Sequence, residues 1–367
     1  MPSNRRGLLA ASSAGSTTSF FTWGGNSSGQ LGLGNTTNFS SPVQLGTDTD
    51  WASVASGTDH SFGIKDNGTL WAWGSGDNGR LGLGNTTNYS SPIQVGALTS
   101  WAKVSSRKDF TLAVTTDGKL YAWGNNSSGQ LGLGNTTNIS SPVQVGALTT
   151  WADVGTGEYS SLGLTTAGTI FSWGSNIIGI LGLGNTTYYS SPVQVGSLTT
   201  WAAIARGDLH AMVKKNDGTL WAWGQGTNGK LGRGNTTTYS SPVQVGTDAD
   251  WADIDVGGQQ SLGIKTTGRL YAWGHNSSGQ LGLGNLTSYS VPTQVGSLTN
   301  WSFLAAAKFS TAAGTTDGEL FTWGLNFTGM LGHSNTTTLS SPVQVGSETY
   351  WTVNTSFVFS HVLAVVE

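Results

Sequence analysis

The hydrophobic and polar positions of this chain form one pattern written seven times. In Leu70-Trp71-Ala72-Trp73 and Leu120-Tyr121-Ala122-Trp123 both alternating sets of positions are apolar. That is the signature of a short strand covered on both faces, as in a sheet held between two neighbouring sheets. The unit that begins at Trp51 divides into Trp51 to Ser56, Ser61 to Asp66, Thr69 to Gly74 and Pro92 to Val95, with turn-forming residues between them. Four short strands per unit is the number a propeller blade requires. The second and third are separated by Asn67-Gly68, echoed as Asp117-Gly118, Asp217-Gly218 and Asp317-Gly318, which predicts a two-residue hairpin turn with φ above zero. Helical repeats are excluded, because Gly29-Gln30-Leu31-Gly32-Leu33-Gly34-Asn35 carries too much glycine for a helix.

The period is 50 residues. One tryptophan series runs Trp51, Trp101, Trp151, Trp201, Trp251, Trp301 and Trp351, and a second runs Trp23, Trp73, Trp123, Trp173, Trp223, Trp273 and Trp323. Neither series shows a net insertion or deletion. Pro42 and its six counterparts keep the same step, as does the asparagine of Asn35-Thr36-Thr37. The last unit stops before its tryptophan-glycine strand, and the missing strand lies at the other end of the chain, where Ser19-Phe20-Phe21-Thr22-Trp23-Gly24 aligns with Thr69 to Gly74. The expected architecture is therefore all-β: a seven-bladed β-propeller over residues 19–367, with four-stranded antiparallel blades. The N-terminal strand completes the C-terminal blade, so that no repeat edge is left uncapped. Residues 1–18 form a tail that could dock the propeller to a larger assembly.

Composition narrows the function. Charged residues make up 10% of the 367, the formal net charge is −3, and no bulk positive charge attracts nucleic acid. Glycine is abundant at 55 residues, yet 16 tryptophans on a fixed beat demand burial and argue for a folded chain rather than a disordered one. There is no cysteine, which removes disulfides, thiolate catalysis and cysteine metal sites. No apolar run is long enough for a membrane span, and the apolar part of Arg5-Arg6-Gly7-Leu8-Leu9-Ala10-Ala11 is short for a signal peptide.

Asp117-Gly118, Trp123-Gly124 and Gly129-Gln130-Leu131-Gly132 together resemble the regulator of chromosome condensation repeat, and the resemblance covers about residues 19 to 367. It implies a seven-bladed propeller. Function within that family is diverse and is not transmitted by fold. Its founding members exchange guanine nucleotide on a small nuclear GTPase and bind chromatin; relatives include plant UV-B photoreceptors and a bacterial β-lactamase inhibitor. The exchange factors carry a basic tail and an inserted β-wedge, whereas this tail has only Arg5 and Arg6 and the period leaves no room for an insertion. Photoreception needs additional clustered tryptophans, but Trp71 and Trp221 sit at the third-strand position that elsewhere holds Tyr121, Phe171, Tyr271 and Phe321.

Candidate catalytic groups are few. His60 and His210 share a repeat position, where a ring nitrogen bonded to backbone in a tight turn is expected in preference to a general base, and no serine or carboxylate recurs beside them as a triad would require. Asp248, Asp250, Asp253 and Asp255 lack the glycine and closing glutamate of a calcium loop, and Asp48 and Asp50 repeat the first two, so a solvated turn is expected. The Asn-x-Thr sequons recur too regularly for anything but a turn-stabilising role to come first. No enzyme, cofactor or metal is predicted.

Strand order alone places the loop after the first strand and the long loop after the third on one face, and the hairpin and interblade link on the other. The first face carries nearly all the variation. Its short loops hold Lys108, Phe110, Tyr159, Leu209 and Phe309, and one reads Val358-Phe359-Ser360; its long loops hold Ile177, Ile178 and Ile180 with Tyr188 and Tyr189, and Phe327 and Met330 with Leu339. These are the candidate partner-binding residues. Isoleucines at 177 and 178, where sister loops have Ser27 and Ser28, could pack beneath the loop or form a patch for a partner. The expected function is a non-catalytic structural or interaction scaffold that binds protein or glycan through this face, in an extracellular or virion-surface setting. The alternative is a cytoplasmic regulatory propeller acting on a GTPase or another enzyme.

Overall fold

The computed structural model describes residues 18–358 and 360–366. They form seven four-stranded antiparallel sheets. The first blade is made of Trp51–Ser56, His60–Lys65, Leu70–Gly74 and Tyr89–Gln94, and the next five repeat it in order. The seventh is composite: Trp351–Val358 and His361–Val366 pair with Ser19–Gly24 and Phe39–Gln44 from the other end of the chain. Ser19 pairs with Val366 and Gly24 with His361, which closes the ring. Of the expected docking tail, residues 1–17 lie outside the described residues, while Thr18 bonds the carbonyls of Thr49 and Trp51.

First strands face the axis, where all seven line a central channel of about 260 Å3. Fourth strands form the rim, and each carries one of the register prolines. There the missing N–H breaks no ladder and hinders edge-to-edge pairing with another chain. The two tryptophan series hold adjacent blades together. Within one blade Trp51 meets Trp73 edge to face at 6.1 Å, as Trp101 meets Trp123 and Trp151 meets Trp173, and the Trp51–Trp73 pair packs against Phe20, Leu45, Leu363 and Val365 of the neighbouring blade. Trp73, Trp123, Trp173, Trp223 and Trp323 each donate the indole N–H to a backbone carbonyl of the preceding blade, 43 residues earlier. Trp23 makes the same bond to Met330 across the closure. Trp273 is the exception, and its N–H has no acceptor. Deleting one such buried indole would cost about 3–5 kcal/mol.

Two sequence expectations are corrected. The hairpin between the second and third strands is not a two-residue turn with both central residues at positive φ. Only Gly68 is left-handed, at φ +74°, the turn spans Lys65 to Thr69, and the Asn67 side chain accepts the Thr69 N–H. Glycine alone meets the left-handed requirement, so the preceding residue is free to be Asn, Asp, Ala or Thr. The period also contains one insertion. Thr355 pairs with Ala364 as Val54 pairs with Gly63, which puts one extra residue between Trp351 and Thr355. A bulge in the last first strand absorbs it. The repeat equivalent of His60 and His210 is therefore His361, and the last short loop is Phe359-Ser360-His361 rather than Val358-Phe359-Ser360, with Phe359 outside the described residues.

Candidate interaction face

Short loops and long loops open together. Ser75 and Asn125 donate backbone N–H to Asp59 and Asp109, tying each long loop to the short loop beside it, while Asp66 and Trp101 tie the hairpins to the interblade links at the opposite end. These ends are called the loop face and the link face below.

The three histidines at the shared position are latches between blades. Nε2 of His60 lies 2.6 Å from Ser106 Oγ, that of His210 2.9 Å from Ser261 Oγ, and that of His361 2.9 Å from Ser61 Oγ, each serine belonging to the next blade. The expected ring-to-backbone bond is thus a ring-to-hydroxyl bond across an interface. All three rings are fully buried, and burial lowers their pKa values, that of His361 to about 3. Their Nδ1 atoms meet no acceptor, so no carboxylate orients them as a base. Gln260 holds the same position in the fifth blade and bonds the carbonyls of Ala307 and Ser310.

Charge on this face falls into two groups. Around the first two blades, Arg80 lies 3.0 Å from Asp109 and 3.5 Å from Asp77, with Asp59 alongside. Burial, together with Asp109 and Asp77, raises the Asp59 pKa against the pull of Arg80. Further round, Arg107 reaches over the third blade to Asp208 in the fourth, Nε to Oδ1 at 2.6 Å. Arg206 donates to the Ile180 carbonyl and to Ser160 Oγ. It enters there because Gly155 lacks a side chain: a Cβ at that position would stand 2.9 Å from Arg206 Cβ. Burial, with Arg107 nearby, pushes the Arg206 pKa down to about 9. Lys230 is buried completely, its ammonium bonded to Gln225 and Gln259, and burial pushes its pKa down to about 8. Between the two groups Lys108 bonds Glu158 and the Tyr159 hydroxyl and lies over the Tyr159 ring.

The candidate partner-binding residues divide. Ile177, Tyr188, Phe327 and Tyr159 are exposed, the first three by half or more. Ile178, Tyr189, Lys108, Leu209 and Phe309 are half-buried. Phe110, Ile180 and Met330 are core, at most 1% exposed, and cannot meet a partner. Phe110 replaces the histidine latch, and residues 180 and 330 sit beneath the tryptophans of the following blade. Leu339 packs against two core clusters. The isoleucine pair thus lies at the surface, with Ile178 held at φ +60°. A β-branched side chain there is strained by roughly 1–2 kcal/mol.

Sequence reasoning passed over Arg80, Arg107, Arg206, Asp208 and Lys230. For the four cations the signal was charge at repeat positions that are otherwise neutral: Arg80 and Lys230 share a place with Gln30, Gln130 and Gln280, and Arg206 shares one with Ser56 and Ser106; the place of Asp208 varies in charge throughout, with Lys108, Glu158 and Lys308.

The link face is more regular. Lys65 bonds Asp48 at 2.7 Å and Asp50 at 3.0 Å, and Lys265 bonds Asp248 and Asp250 at the same distances. The acidic cluster seen in the sequence is split, since Asp253 caps the Ile254 N–H and Asp255 lines the channel. The sequon asparagine Asn35 accepts the Thr37 N–H and closes a turn, and its counterparts do the same. No group of three or more metal-ligating side chains occurs among the described residues, and no helix there is long and apolar enough to cross a membrane.

A family model for the RCC1-like domain matches residues 99–364, and models of the regulator of chromosome condensation (RCC1) repeat match residues 19–64, 67–114 and 51–80. The chain belongs to the RCC1-like family. Human WBSCR16 superposes with a TM-score of 0.85 at 22% identity, over 95% of this chain and 99% of that one. Prp20p of Saccharomyces cerevisiae, whose structure was described with its binding to Gsp1p and histones, gives 0.84 at 19% identity over 96% and 92%. Yeast RCC1 (Prp20) in complex with Kap60 gives 0.83 at 19% identity over 95% and 89%. At these identities the likeness establishes the RCC1-like propeller fold. No curated protein sequence matches the chain.

Proposed function

We propose that this RCC1-like propeller is a non-catalytic regulatory module that docks a protein partner, a GTPase or another enzyme, on its loop face. One observation carries the reading. Exposed apolar side chains that depart from the repeat (Tyr159, Ile177, Tyr188, Phe327) and the charges that depart from it (Arg80, Arg107, Arg206, Lys230) gather at the loop-face end, whereas on the link face Tyr350 is the one exposed aromatic among the described residues that breaks the repeat. Exposed aromatic and aliphatic anchors beside buried charge make up the composition of a recognition surface. Prp20p, with the same fold, binds Gsp1p, which favours a regulatory partner. The extracellular or virion-surface setting and a glycan ligand draw no support from these relatives.

The test is a photo-crosslinking amino acid placed at Tyr159 or Phe327 on the loop face, and at Leu148 on the link face. A single partner crosslinked from the first two and absent from the third, with its own activity altered by the wild-type propeller and unaltered by Ile177→Ser/Phe327→Ser, is the expected result. Equal crosslinking from Leu148 would remove the assignment.

A further inference from the structure

The first and fourth blades carry the same cationic device with different surroundings. Arg80 and Lys230 occupy one repeat position, each buried under the loop face. Around Arg80 stand Asp77 and Asp109, the two carboxylates that compensate it. The repeat equivalents around Lys230 are Thr227 and Gln259. Both carboxylates have gone while the buried cation has stayed. Its acceptors are two amide oxygens, Gln225 Oε1 at 2.7 Å and Gln259 Oε1 at 2.8 Å, and no carboxylate lies within 4.0 Å of it among the described residues. Asp208, the one carboxylate nearby, is taken by Arg107.

An ammonium group can only donate, so it fixes the orientation of both amides. Each Oε1 turns down onto Lys230, and each Nε2 is left on the far side of its amide with two hydrogens to give. Neither Nε2 donates to any group among the described residues, and both glutamines are half-exposed on the loop face. Two outward N–H₂ groups above a buried positive charge are a receptor for an oxyanion. Lys308 adds further positive charge, since it and Lys230 both favour the ionised form of Asp208. Phe309, packed against His275, supplies an apolar wall beside it. The depressed pKa of Lys230 has the same origin: a cation removed from water without a carboxylate partner.

We infer that Gln225, Gln259 and Lys230 form a carboxylate-binding site that receives an aspartate or glutamate side chain from an acidic segment of the docked protein. The inference rests on loop-face docking but names a different sector from the Ile177 patch. The carboxylate accepts from the two Nε2 groups and supplies, one amide further out, the negative charge that Asp109 supplies directly to Arg80.

A fluorescein-labelled heptaglutamate peptide, titrated by anisotropy against the full chain without any partner, tests it. Wild type is expected to bind, with affinity falling as salt is raised. Gln259→Asp, which rebuilds the internal pair, and Lys230→Gln, which installs the residue found in three sister blades, should each weaken binding at least tenfold while circular dichroism and melting stay unchanged. Ile177→Ser/Phe327→Ser should leave peptide affinity intact, so that failure of this site and failure of partner docking are read separately. Absence of peptide binding, or equal affinity in Gln259→Asp and wild type, would overturn the assignment. So would inorganic phosphate saturating the site while the peptide does not bind.

Discussion

Acidification should unlatch the propeller at three interfaces, and the size of the effect follows from the buried histidines. His60, His210 and His361 each bridge to a serine of the next blade, and each is neutral in the folded state because burial lowers its pKa. The charges around them add to this: Arg80 and His361 face His60, and Lys230, Arg206 and Arg107 face His210. In the unfolded chain each titrates near 6.5. Below that pH the unfolded state binds more protons than the folded one, so stability is fully present above pH 6.5 and is lost as the pH falls. For His361, whose folded pKa is about 3, the loss continues down to that value. For His361 each pH unit below 6.5 costs about 1.4 kcal/mol, or about 2 kcal/mol at pH 5. His60 and His210, lowered in the same direction, add to this loss, against the ~5–15 kcal/mol that holds a typical domain. Urea unfolding followed by tryptophan fluorescence at pH 7.5, 6.5, 5.5 and 5.0 measures it. His361→Gln, which copies the Gln260 latch of the fifth blade, should remove about 2 kcal/mol of the loss between pH 6.5 and 5.0. A stability that is flat over this range, or a slope unaltered in His361→Gln, would refute the reasoning.

Two further outcomes follow from the blade interfaces. Ile178→Asn replaces a strained left-handed isoleucine with the residue that takes the same conformation at Asn78 and Asn228, and should raise stability by about 1 kcal/mol in urea midpoint measurements. Trp123→Phe should cost about 1 kcal/mol more than Trp273→Phe, because the first loses an indole bond to the Arg80 carbonyl while the Trp273 N–H has no acceptor to lose. Equal costs in thermal melts would show that the bond contributes nothing beyond packing.

The fold was legible because packing wrote it into the repeat. A sheet covered on both faces must show apolar groups in both alternating sets, and a ring split within one blade must show the missing strand at the other terminus. What was hidden depended on conformations or partners outside the pattern. One extra residue in the last first strand leaves both tryptophan series undisturbed, so His361 did not read as the third latch until strand pairing set its register. Phe110, Ile180 and Met330 looked like surface departures from the repeat, yet their positions lie under the next blade, where any side chain is buried. Exposure of Ile177 and burial of Ile180 follow from a turn geometry that three residues of sequence do not specify. Lys230 was invisible as a site because its meaning lies in Thr227 and Gln259, and only the spatial opposition of Arg80 and Asp109 across two blades shows what those residues lack.

The repeat builds the ring, and the proposal gives partner binding to the residues that depart from it on the loop face; restoring the repeat there tests that division most directly. A chain carrying Ile177→Ser, Tyr188→Asn, Phe327→Ser and Lys230→Gln, the residues of its own sister blades, would be compared with wild type for melting and for partner crosslinking from Tyr159. Melting unchanged and crosslinking abolished is the predicted result. A restored-repeat chain that still captures the partner with wild-type efficiency would contradict it.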